Sequence, residues 1–149
     1  MLTAALLHDI LEDVNWISED YLTKEFNKEI FTVIDNLSKR KGEEIEDYIN
    51  RVSSHKISAI VKIADRLNNV STLSESSQKH RKKQLLETRE VYLPLVKHYR
   101  REYFEYSSFF WQARTIMVAL LNEVERGVLA EEKLDDLMRE WWNRHTYLP

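Results

Sequence analysis

Apolar residues recur at helical spacing along almost the whole chain. Leu7, Ile10, Leu11 and Val14 fall at i, i+3, i+4 and i+7, which predicts a helix over residues 3–14 with one buried stripe. Asn15 and Trp16 break that pattern. Ser18, followed by Glu19 and Asp20, has the form of an N-cap with an acidic first turn. Tyr21, Leu22 and Phe26 complete that helix. Asn27 caps the next, in which Ile30, Phe31, Val33, Ile34 and Leu37 are apolar. Residues 38–44 (SKRKGEE) form a polar, basic loop containing a glycine. Periodicity resumes through Ile45, Tyr48, Ile49 and Val52. It continues over residues 57–69, with Ile57, Ile60, Val61, Ala64 and Leu67 expected inward. Residues 74–83 are polar and begin as a loop. A long helix is expected over 84–98, bent at Pro94. An aromatic stretch over 99–111 leads into an apolar helix over 115–124, with Gly127 as its C′ residue. A last amphipathic helix over 131–144 holds Leu134, Leu137, Met138 and Trp141. The expectation is an all-α fold, a single compact bundle of seven to eight helices spanning residues 1–149.

Composition agrees. The chain has 149 residues, two glycines and two prolines, too few turn residues for a sheet protein. A formal charge of −3 gives no electrostatic footprint for nucleic acid. The absence of cysteine excludes a disulfide framework and a thiolate metal site. No apolar run approaches the roughly 20 residues of a membrane span. The N-terminus lacks the basic region of a signal peptide. The expected protein is soluble and cytoplasmic, with no membrane partner.

Chemistry concentrates in AALLHDILED, residues 4–13. His8, Asp9, Glu12 and Asp13 lie within six residues of one another in an otherwise apolar segment. On a helix, His8 and Glu12 are i, i+4 neighbours, as are Asp9 and Asp13. An imidazole beside carboxylates suits a first-row divalent metal, and further carboxylates can orient or deprotonate water. The plain alternative is a solvated helix face. A second segment, VKIADRLNNVSTL, sets Asp65 on an apolar helix. A carboxylate near a buried face needs a partner. That partner is either Lys62 or Arg66 in a salt bridge, or a metal shared with His8 and Asp9.

The succession AALLHDILEDV, VKIADRLNNVSTL and LLETREVYLPLV resembles the HD-domain hydrolase module of the RelA/SpoT homologue family, over residues 3–97. Residues 98–149 would be additional C-terminal helices. The resemblance implies Mn²⁺-dependent hydrolysis of (p)ppGpp at its 3′-pyrophosphate. It implies His8, Asp9 and Asp65 as metal ligands, and Glu12 and Asp13 as the pair that handles the attacking water. Asn69 and Thr72 match nucleotide-contacting positions, Lys62 and Arg66 basic positions of the same segment, and Lys39 a lysine facing phosphate. The expected partner is therefore a small guanosine nucleotide.

The family also carries a further histidine ligand upstream, where this chain has only MLTAALL. Three explanations are open: an internal start, a short form with an impaired site, or a substitute among His55, His80, His98 and His145. A catalytically impaired binding scaffold is thus the competing reading. Asn68 and Ser71 stand where many relatives have His and Arg, which removes positive charge from the pocket edge. Tyr99, Tyr103, Phe104, Tyr106, Phe109, Phe110 and Trp111 read mainly as core. The alternative is a homo-oligomer surface, with exposed apolar surface on the first helix as a second route to self-association. Trp141 and Trp142 cannot both face one side of a helix, so one of them is expected to meet another element or another chain.

Overall fold

The computed structural model describes residues 1–14 and 16–145, with the backbone alone for His145. Asn15, read above as a helix breaker, and the His145 side chain lie outside the described residues. The chain is all-α, and no strand occurs among the described residues. It divides into two compact units, Met1–Asp65 and Arg66–Pro149. No helix among the described residues is long and apolar enough to cross a membrane.

The first unit contains α1 (Leu2–Leu6), α2 (Ile10–Asp13), α3 (Glu19–Glu25), α4 (Lys28–Leu37), α5 (Ile45–Ser53) and the first turns of α6 (Lys56–Ser71). Two of the caps read from the sequence are present. Tyr21 N–H donates to Ser18 Oγ at 3.2 Å, and Ile30 N–H to Asn27 Oδ1 at 2.9 Å. The central helix is α4, against which α1, α2, α3 and α5 pack. Ala4, Val33, Leu37 and Val61 form one buried cluster.

The expected helix over 3–14 is broken. Two short helices replace it, with His8 and Asp9 in the turn between them. The cause is local. His8 Nδ1 donates to the Ala5 carbonyl at 2.9 Å, taking the acceptor that the Asp9 N–H would use in a continuous helix. The backbone then restarts with the Ile10 N–H donating to Leu7 O and the Glu12 N–H to Asp9 O. Leu7, Ile10, Leu11 and Val14 are consequently half-buried rather than core. In α6, Ile60 and Val61 are buried as expected, but Ala59, Ile63 and Val70 are buried as well, Ile57 and Leu67 are half-buried and Ala64 is exposed.

The second unit contains the remainder of α6, α7 (Gln78–Glu87), α8 (Leu93–Glu102) and α9 (Ser107–His145). Helix α7 begins six residues earlier than expected, because Ser77 caps it by accepting from His80 N–H. A wider π-type turn, Thr88–Tyr92, precedes Pro94, which sits in the first turn of α8. Proline is tolerated there, since first-turn amides have no intrahelical acceptor to lose. Gly127 does not end a helix. It lies inside α9, which runs unbroken for 39 residues. Ion pairs hold α9 across this point: Arg89 with Glu125, Arg81 with Glu131 and Lys82 with Glu132. The aromatic stretch is divided. Tyr99 and Phe110 are buried 5.6 Å apart, whereas Phe104 and Trp111 are exposed.

Candidate functional site

In the first unit, His8 lies against both Asp9 and Asp65, although the chain separates His8 from Asp65 by more than fifty positions. His8 Nε2 lies 2.9 Å from Asp9 Oδ2 and 3.5 Å from Asp65 Oδ1. The other carboxylate oxygen of Asp65 accepts from Lys62 Nζ at 3.0 Å. Of the partners weighed for Asp65 from its sequence context, Lys62 is engaged in a salt bridge, and His8, one of the residues expected to share a metal with it, lies against its other oxygen. The third, Arg66, is not on that carboxylate. It donates to Glu87 at 2.8 Å and to Gln84, and stacks 3.8 Å above the Tyr92 ring.

The hydrogen bond to Ala5 O fixes a proton on His8 Nδ1, so Nε2 carries the lone pair when the ring is neutral. That lone pair faces two carboxylates. Lys62 offsets the charge of Asp65, and a cation placed at the lone pair would be attracted by both carboxylates. Burial raises the Asp9 carboxyl above its ordinary value. The charges of Asp65 and Glu12 add to that, while His8 and Lys62 oppose it. The donor types and the histidine tautomer thus fit a divalent metal. The disposition is not a closed cage: among the described residues, no group of three or more His, Cys, Asp or Glu side chains is set to hold a metal ion.

Glu12 and Asp13 are exposed on the turn of helix beyond the histidine. Glu12 Oε1 accepts from the Lys39 N–H at 2.7 Å, which fastens α2 to the start of the 38–44 loop. That loop is itself anchored. Arg51 donates to both carboxylate oxygens of Glu43, to Ser38 O at 2.9 Å and to Asp35 O. Gly42 makes the turn possible with φ of +77°.

Two features escaped the sequence reading or were underweighted by it. Buried Tyr48, read only as core, donates to Leu37 O at 2.7 Å. Its ring gathers Lys62 at 5.5 Å and Lys39 at 6.0 Å. No linear spacing announces that meeting. Lys62 had a legible signal, being one turn before Asp65 on the same helix.

The remaining expected residues belong to the second unit. Asn69, Thr72, Ser76, His80 and Gln84 line a cavity of 270 Å³. Arg66 is buried in its ion pair with Glu87. Of the histidines considered as substitute ligands, His55 accepts from Ile57 N–H, and His98 lies against Tyr99. His80 lines the cavity just described.

The chain was compared with known proteins. It is 30% identical over 104 residues to the guanosine-3′,5′-bis(diphosphate) 3′-pyrophosphohydrolase of Haemophilus influenzae, covering 62% of this chain and 15% of that protein. It is 34% identical over 101 residues to the protein of the same name from Aquifex aeolicus, covering 62% of this chain and 14% of that one. It is 29% identical over 152 aligned positions to the GTP pyrophosphokinase rsh of Brucella ovis, covering 88% of this chain and 20% of that protein. The chain therefore spans a small part of the length of these curated relatives. No family model matches it, and no solved structure matches it significantly. Over the part it spans, the chain is related to the RelA/SpoT family of guanosine bis(diphosphate) pyrophosphohydrolases and GTP pyrophosphokinases.

Proposed function

We propose that this chain carries a metal-dependent phosphohydrolase site of the HD type, acting on the 3′-pyrophosphate of a guanosine nucleotide such as guanosine 3′,5′-bis(diphosphate). One observation carries the reading: an imidazole lone pair and the carboxylates of Asp9 and Asp65 converge within 3.5 Å from distant parts of the sequence. His8, Asp9 and Asp65 would hold the cation, Mn²⁺ in the first instance. Such a cation would lower the pKa of a bound water towards neutrality and polarise a phosphoryl oxygen.

The chain's own groups supply the rest. Glu12, oriented by the Lys39 N–H, and Asp13 accept the proton of the attacking water. Its oxygen bonds to phosphorus while the bond from that phosphorus to the ribose 3′ oxygen breaks, releasing pyrophosphate and the nucleoside 5′-diphosphate. Lys62, held by Asp65 and Tyr48, offsets charge on the phosphoryl oxygens, and Lys39 adds to it. The family resemblance assigns nucleotide contacts to Asn69 and Thr72, which line a cavity of the second unit.

The open metal set favours a second reading, a scaffold that binds nucleotide without hydrolysing it. Incubating the chain with Mn²⁺ and guanosine 3′,5′-bis(diphosphate) separates the two. Pyrophosphate release that disappears in Glu12→Gln supports hydrolysis. Nucleotide binding with no release supports the scaffold.

A further inference from the structure

The C-terminal half of α9 keeps an apolar row in solvent. Leu134 is 59% exposed, Leu137 54% and Trp141 56%, and Ala130 and Met138 are exposed beside them. This row is not the one that packs in the core. Met117, Leu121, Val124 and Val128 form the buried line. At 3.6 residues per turn, the row through 130, 134, 137 and 141 lies about a quarter-turn or more away from it. The spacing 127-130-134-137-141-144 alternates three and four residues, the seam of a paired helix.

We propose that this row pairs with the same row of a second copy, antiparallel, about a two-fold axis between Leu134 and Leu137. In that register Leu134 meets Leu137 of the second copy. The bulky Trp141 meets the small Ala130. Lys133 lies opposite Glu140, and by symmetry the pair occurs twice. Glu140 is exposed and already contacts Arg144 on its own helix at 3.1 Å, so each carboxylate sits between two cations. A parallel pair lacks this complementarity. It sets Trp141 against Trp141 and Ala130 against Ala130, and leaves Lys133 opposite Met138. The sequence alone suggested self-association through the aromatic stretch or the first helix, and a contact of Trp141 or Trp142 with another element or another chain. The row on α9 gives Trp141 such a contact, and it does not depend on the proposed hydrolase site.

Sedimentation equilibrium of the 149-residue chain over a micromolar concentration series tests this. The expected result is a reversible species of twice the 17.9 kDa chain mass. Leu137→Lys abolishes it with helix content unchanged. Lys133→Glu and Glu140→Lys each raise the dissociation constant about tenfold or more, because like charges then meet twice. The double exchange K133E/E140K restores association. A chain that stays monomeric overturns the proposal. So does a double exchange that fails to restore the dimer, or association that survives Leu137→Lys.

Discussion

Arg51 shows how a site residue can depend on a side chain that never touches it. Its guanidinium joins Glu43, Ser38 O and Asp35 O, and so fixes the loop whose Lys39 N–H orients Glu12. Arg51→Met leaves the Glu43 carboxylate and two carbonyls without their donor. We expect a loss of about 2–4 kcal/mol in chemical denaturation. The pH dependence follows from Glu43. Its carboxyl is held below its ordinary value by the hydrogen bonds from Arg51. A lowered folded value means that the unfolded state binds the proton more readily. The stabilisation is therefore fully present above the ordinary carboxylate range and is lost as pH falls through the lowered value. The stability difference between the native chain and Glu43→Gln should shrink as pH is taken from 7 to 3. At this scale the sequence named His8, Asp9 and Asp65 as a set, but it could not name their geometry. Which oxygen faces which nitrogen depends on contacts between α6 and the turn at His8, and no spacing encodes those.

At the scale of elements, periodicity identified nearly every helix and failed where one side chain or one glycine decides the outcome. The break at His8 comes from a ring nitrogen capturing a backbone acceptor, an interaction that hydrophobic pattern does not register. Gly127 failed in the opposite direction. A glycine after an apolar stripe suggests a helix end, yet three ion pairs from α7 and the π-type turn hold α9 straight through it. A Cβ added at Gly127 would meet nothing within 4 Å. Gly127→Ala should therefore stabilise the chain by about 0.5–1 kcal/mol, read as a shift in the urea midpoint with unchanged slope. A loss of stability would mean that the helix is strained at this point. Pro94 was legible as a disturbance, but not as the wide turn that precedes it.

At the scale of the whole molecule, the all-α class was legible from two glycines, two prolines and unbroken helical periodicity. The division into two units was not, because no linker composition marks residue 65 and the boundary falls within a continuous helix. In the first unit an imidazole and two carboxylates lie together, and the proposed hydrolase site needs a divalent cation held by them. Titration of the chain with Mn²⁺, followed by loss of the free-ion electron paramagnetic resonance signal, tests this central claim most directly. The account predicts saturable binding of one equivalent that is lost in Asp65→Ala, with helix content by circular dichroism retained. Absence of saturable binding in the native chain would contradict it, as would binding that Asp65→Ala leaves unchanged.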